Sequence, residues 1–141
     1  MLIRKMNYLD VDTIVEIEKE LFTSPWSRDD LYYEVEKNAF STILILENDD
    51  EIVGYIGMWL LGDQTQITTI GIRKMYQGKG YGKASLDFLV NHLKNEYNCD
   101  ELYLSIFEDN KMAIKLYKDF GFEFNGELDY GGEKVMVLKS N

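Results

Sequence analysis

The sequence holds one cysteine, one proline and one histidine in 141 residues. Cys99, being alone, can form neither an internal disulfide nor a multi-cysteine zinc site, so a reducing, cytoplasmic setting is expected. No apolar run reaches membrane-spanning length, since ILIL and GYIGMWLLG are strand-sized, and no membrane partner is expected. The opening MLIRKMNYLD lacks the apolar centre of a secretory signal and reads as structure. Basic residues are also scarce: 15 Lys and Arg stand against 25 Asp and Glu, a net charge of −10. Phosphate backbones need a basic footprint, so nucleic acid is not an expected partner. The acidity suits a basic small molecule or peptide drawn in by the long-range field, or simple solubility. The length fits a single domain over 1–141 with a core that needs no staples.

The chain is divided clearly into elements. Residues 2–6 read as a short strand, and Asp10 is placed to cap a helix carrying Ile14, Ile17, Leu21 and Phe22 on one side. TSPWS breaks that helix at Pro25, and Ser27 with Asp30 forms a capping-box pattern opening a second helix over 28–37. STILILE, IVGYIGMWLL and QITTIGIRK form a three-stranded meander turned by NDDE and LGDQ. Next comes a helix whose stripe is Leu86, Leu89, Val90, Leu93 and Tyr97, followed by the strand ELYLSIF over 101–107. Asn110 is placed to cap a helix running to Phe120, with Gly121 at its left-handed end. FEFNGEL and EKVMVLK close the chain around DYGG. The order β-αα-βββ-α-β-α-ββ predicts an α/β (α+β) domain with a largely antiparallel sheet flanked by helices. The one helical crossover makes the third meander strand and 101–107 parallel.

Between that strand and its helix lies YQGKGYGKA, residues 76–84. A Walker loop would need Gly and Ser or Thr where Gln77 and Ala84 stand, and Lys83 fills the third glycine position of the dinucleotide fingerprint. What remains is a strand, a glycine loop and a helix start, where unpaired N–H groups converge and favour an anion. On the loop alone, a phosphate cradle and a closely packed turn both stay open.

QGKGYG, Gln77 to Gly82, resembles the Q/R-x-x-G-x-G/A signature of the GNAT superfamily of N-acetyltransferases, and NKMAIKLYKDFGF, Asn110 to Phe122, resembles that family's N-x-x-A-x-x-L-Y-x-x-x-G-F helix. The element order is similar over essentially the whole chain. The resemblance implies an acetyl-CoA-dependent enzyme that needs no metal and acetylates an amine. It implies cofactor contacts from Ile70, Gly71 and Ile72, from Gln77, Gly78, Lys79, Gly80, Tyr81, Gly82 and Lys83, and from Asn110 and Tyr117. It also makes Tyr117 the general acid for the leaving thiolate. Helical spacing is compatible with that, because Asn110 and Tyr117 are seven residues apart and fall within about 20° of each other around the axis. Without the motif, Tyr117 is a core aromatic and Asn110 a plain cap.

Two subfamilies share the likeness. FTSPWS and the meander resemble the RimI-type enzymes, which acetylate the N-terminal alanine of a ribosomal protein. LYLSIFEDN with FNGELDYGGEKVMV is similar to bacterial spermine/spermidine acetyltransferases. A protein N-terminus is the leading acceptor expectation; a polyamine, or a silent CoA-binding module, is the alternative. The general base is unassigned, because Ser105 and Phe107 stand where RimI-type enzymes carry Glu and Arg. Glu108 is near only in sequence, and Gln66 could only orient a water. Phe22 and Trp26, flanking Pro25, form either an acceptor wall or a plug between helices, and Tyr130 remains from a shortened turn. Cys99 has no neighbouring base, and His92 fits a structural place beside its helix stripe.

Overall fold

The structure is a computed structural model describing residues 1–96, 100–129 and 131–139. The expected positions Tyr97, Cys99 and Tyr130 lie outside the described residues. Seven strands, β1 (Leu2–Lys5), β2 (Ser41–Asn48), β3 (Glu51–Leu61), β4 (Gln64–Ile72), β5 (Glu101–Ile106), β6 (Glu123–Leu128) and β7 (Lys134–Lys139), form one sheet in the order β1-β2-β3-β4-β5-β7-β6. Four helices, α1 (Val11–Leu21), α2 (Arg28–Glu36), α3 (Tyr81–Glu96) and α4 (Lys111–Phe120), cover it. Every strand pair is antiparallel except β4·β5, which the α3 crossover makes parallel. No helix among the described residues is long and apolar enough to cross a membrane.

Strand periodicity divides the core between two faces of the sheet. Leu44 and Leu46 pack with Leu86, Leu89 and Leu93 of α3 and with Leu104, Ile106 and Met136. Ile43 and Ile45 point the other way, against Val11, Ile14 and Ile17 of α1 and Leu31 of α2. That is why β2 reads as an unbroken apolar run: helices cover both its sides.

Arg4 ties β1, the entrance to α1 and β2 together. Its Nη1 and Nη2 each donate to the Asp10 carboxylate at 2.8 Å, and its Nε donates to Glu47 Oε1 at 2.8 Å. Asp10 also accepts the Asn7 N–H at 2.8 Å, so its carboxylate is already engaged and does not cap α1, contrary to the sequence expectation. Asn7 instead caps the short turn 8–10, and the Arg4 guanidinium holds the Asp10 carboxyl below its usual range. The capping box of Ser27 and Asp30 is present, with reciprocal hydrogen bonds of 3.1 and 2.9 Å. α1 ends at Leu21, so Phe22 leaves the helical stripe in extended backbone.

β3 and β4 approach closely where two glycines meet. A Cβ on Gly54 would lie 2.2 Å from the Gly71 carbonyl oxygen, a contact that only a shift of backbone could relieve. Gly71 turns its other side to Tyr55 and Leu21, whose carbons would lie 3.2 Å from a Cβ there. Gly54→Ala should therefore destabilise the fold by about 1–3 kcal/mol, the usual scale for overpacking. Urea unfolding checks this as a lowered midpoint at unchanged slope.

Candidate active site

Hydrogen bonding between β4 and β5 lasts only three pairs, Gln64↔Glu101, Thr65↔Leu102 and Gln66↔Tyr103. Immediately beyond, the β3·β4 register shifts: Met58 opposes Ile67 and Gly57 opposes Thr69, leaving Thr68 as an extra residue. A bulge bends and twists its strand. β4 thus departs from β5, and a cavity of about 580 Å³ opens between Ile67–Ile70 and Leu104–Phe107. Asn110, Ala113 and Tyr117 line it from α4, with Phe22, Asp109 and Glu133 at its remaining walls.

The cleft passes through the sheet. Leu104 and Ile106 face the α3/α4 core, so Ser105 and Phe107 face the opposite side. Tyr117 belongs to the α4 side, where its ring packs edge-on to Phe122 at 5.6 Å. The Asn110 side chain caps α4 by accepting the Ala113 N–H at 3.4 Å, and Gly121 closes the helix at φ 106°. Burial pushes the Tyr117 phenol up to about 12, so it holds its proton throughout the neutral range.

Carboxylates near the cleft differ in character. Glu133 is half-buried, and desolvation followed by the charge of Asp129 raises its carboxyl above the ordinary range. Glu108 is exposed and ion-paired with Lys134, which lowers its carboxyl. It does not line the cavity, whereas Ser105 does. Gln66 is held in the last paired rung and stays out of the cavity.

The glycine loop is open and left-handed. Gly78 and Gly80 have φ of 79° and 88°, and a Cβ on either would meet nothing within 4 Å. Left-handed backbone, not tight packing, therefore demands glycine here. The first intrahelical bond of α3 runs from Ala84 N–H to Gly80 at 3.0 Å, so the N–H groups of Tyr81, Gly82 and Lys83 precede the ladder. The loop is anchored from behind. Gln77 Nε2 donates to the Ile72 carbonyl at 2.9 Å, and Lys74 N–H donates to Glu20 of α1 at 2.6 Å. The Gln77 side chain thus holds the loop to the strand end, and the Lys79 ammonium lies 5.7 Å from the Tyr76 ring centre. No acidic residue occurs between Asp63 and Asp87, while Arg73, Lys74, Lys79 and Lys83 do. That local basicity inside an acidic chain is a signal for phosphate that the net charge conceals.

The two expected aromatic walls separate. Phe22 lines the cavity, while Trp26 packs among the α1/α2 core residues and serves as the plug. Trp26 is held by Glu18, a buried carboxylate whose Oε1 accepts the Trp26 N–H at 2.9 Å. Asp109 and Glu133 are the cleft residues that motif reading missed. The available signal for Glu133 was strand parity, since it stands two residues before Val135 and thus on the Ser105 side. No group of three or more His, Cys, Asp or Glu among the described residues could hold a metal.

Comparison with known proteins agrees with this geometry. The profile of the Acetyltransferase (GNAT) family matches residues 11–122. A probable spermine N(1)-acetyltransferase of Bacillus subtilis subsp. natto is 47% identical over 107 residues, covering 76% of this chain and 66% of that protein. A putative [ribosomal protein bS18]-alanine N-acetyltransferase of Bacillus subtilis strain 168 is 36% identical over 124 residues, covering 88% of this chain and 82% of that one. The crystal structure of the PaiA N-acetyltransferase of Thermoplasma acidophilum in complex with coenzyme A superposes with a TM-score of 0.83 at 19% identity, over 99% and 98% of the two chains, and shows the shared fold. The chain belongs to the GNAT family, whose members are acetyl-CoA-dependent N-acetyltransferases. It spans just under two thirds of the length of the spermine acetyltransferase relative.

Glu18 supplies a prediction about the packing between α1 and α2. Burial raises its carboxyl above the ordinary value, so the native state holds more protons than the unfolded one between those two values. Stability from this group therefore rises as pH falls through its native value. Glu18→Gln, which keeps an oxygen for the Trp26 N–H, should be at least as stable as the native protein at pH 8. Its advantage should shrink as pH falls toward 5. Denaturant unfolding at the two pH values checks this, and a loss of stability greater at pH 8 than at pH 5 contradicts it.

Proposed function

We propose that the protein transfers acetyl from acetyl-CoA to a primary amine, and that its acceptor is a small cationic amine of the polyamine class. The observation that carries the acceptor is the lining of the cleft. It includes the carboxylates Asp109 and Glu133, and no Lys, Arg or His among the described residues. An amine bearing further positive charges gains from such a wall, and the net charge of −10 adds a long-range attraction. The 47% identity to a probable spermine acetyltransferase points the same way.

Acetyl-CoA supplies an activated thioester whose carbonyl carbon an amine can attack directly. In this reading Gly78, Gly80 and the N–H groups of Tyr81, Gly82 and Lys83 receive its pyrophosphate, with Lys79 and Lys83 contributing charge. The edge of β4 from Ile70 to Ile72, released from β5, offers backbone groups to the pantetheine arm, and Asn110 meets that arm from α4. Tyr117, protonated and desolvated, gives its proton to the leaving sulfur. Phe22 excludes water on the acceptor side.

A protein N-terminal amine is the second reading. It is supported by Phe22 on the cleft wall and by likeness to the bS18-alanine enzyme over 82% of that protein's length. The test is thiol release from acetyl-CoA with spermine, spermidine and alanine-initiated peptides. Turnover is expected with the polyamines. Turnover confined to peptides would transfer the assignment to the second reading, and acetyl-CoA binding without thiol release for any amine would reduce the protein to a CoA-binding module. Within the same assay, Tyr117→Phe should lower kcat by about 10²-fold or more. Its affinity for acetyl-CoA, measured by calorimetry, should stay close to the native value, and undiminished turnover removes Tyr117 from the chemistry.

A further inference from the structure

An ammonium has no lone pair, so direct attack on a thioester needs a group that first takes its proton. The Ser105 alcohol cannot do so unaided, yet a carboxylate lines the same cleft from the residue just ahead of the neighbouring strand. In the antiparallel β5·β7 pair, Ser105 faces Val135 and Ile106 faces Lys134. Opposed side chains share a face, so continuing the register sets Glu133 against Phe107 and diagonal to Ser105. Glu133 is half-buried and lines the cleft together with Ser105, Phe107 and Tyr117. Its backbone is pinned: its N–H donates to Asp129 Oδ1 at 2.9 Å, and its carbonyl accepts the Asp129 N–H at 2.9 Å.

We propose that Glu133, delivered from the start of β7, is the general base that takes the proton of the acceptor ammonium. This rests on the acetyl-transfer reading above. Other carboxylates fit less well. Glu108 is spent on Lys134 and lies outside the cleft, and Asp109 lines it from the exposed turn ahead of α4. The charged and titratable groups around Glu133 are Asp129 across its own turn, Lys134 next in sequence, Glu108 paired to that lysine, and Asp109 and Tyr117 across the cavity. Burial and the Asp129 charge raise its proton affinity above that of a free glutamate, which moves it toward the neutral range where a base works best.

The protons balance. Glu133 takes one from the ammonium, and the freed nitrogen bonds to the acetyl carbon as the carbon–sulfur bond breaks. Tyr117 gives its proton to the sulfur and regains one from the acylated nitrogen. Glu133 then releases its proton to solvent. The net products are an amide, a free thiol and one proton.

The experiment follows kcat/KM for spermine against pH in the native protein, Glu133→Gln and Glu133→Asp. The native profile should fall on its acidic side at a pH above the ordinary glutamate range. Glu133→Gln should lose about 10²-fold near neutral pH and recover as rising pH deprotonates the amine itself, with Glu133→Asp in between. Acetyl-CoA affinity should be unchanged and the melting temperature no lower, which separates a base from a structural role. A carbon-13 titration of the side-chain carboxyls in the protein alone, with Glu133 assigned by its loss in Glu133→Gln, should show it titrating above the other glutamates. An acidic limb that stays at the native pH in Glu133→Gln instead of moving up to that of the amine, its loss in Asp109→Asn alone, or an ordinary Glu133 titration overturns the assignment. If the native protein turns over and Glu133→Gln matches its rate near neutral pH, only the base falls; if no amine releases thiol from the native protein, both readings fall.

Discussion

The separation of β4 from β5 after Gln66 is the constraint on which everything else depends. A parallel pair that remained zipped to Ile72 would satisfy its own backbone and leave no cleft. The extra residue at Thr68 prevents this by turning β4 away while its other edge stays bonded to β3. The price is a strand edge at the centre of the sheet without a strand beside it. Backbone N–H and C=O groups in such a place require partners. An extended ligand laid along the gap would provide them, which is why the cleft and the donor are physically one problem.

The fold tolerates that gap because its stability is generated elsewhere. β2 and β3 carry apolar residues to both faces, so the α1/α2 core and the α3/α4 core are each built mainly on these two strands, with Ile70 and Ile72 of β4 packing at the margin of the second. The Arg4–Asp10–Glu47 cluster fastens the first strand and the entrance to α1 on the far side of the sheet. At Gly54 and Gly71 the two backbones nearly touch, and this holds the departing strand to β3 as it leaves β5. Rigidity on one side of β4 permits openness on the other.

The element order was legible because periodicity and capping act locally. Alternation in STILILE, the Ser27–Asp30 box and the Asn110-to-Gly121 helix each carry their signal within a few residues. The failures share a cause as well. Asp10 looked like a helix cap because the competing partner, Arg4, approaches from another element. Phe22 and Trp26 were indistinguishable in sequence, since which ring enters the cleft depends on where α1 ends and what Glu18 holds. Glu133 escaped motif reading because β7, not β5, carries it into the cleft, and its relation to Ser105 exists only through cross-strand register.

Charge is divided across the sheet in a way that the total obscures. The stretch from Gln64 to Leu86 is free of acid and carries Arg73, Lys74, Lys79 and Lys83, while Asp109 and Glu133 line the cleft. A phosphate-bearing donor and a cationic acceptor would each meet local charge of opposite sign, and each would be repelled from the other's end. Low-dielectric walls strengthen both effects within the cleft. The same division bears on the proton. A carboxylate among acids holds its proton more tightly than a free one, and a phenol desolvated on the α4 side keeps its own through the neutral range. The two groups proposed as acid and base are thus separated by environment, Tyr117 on one face of the sheet and Glu133 on the other, with the opened strands between them.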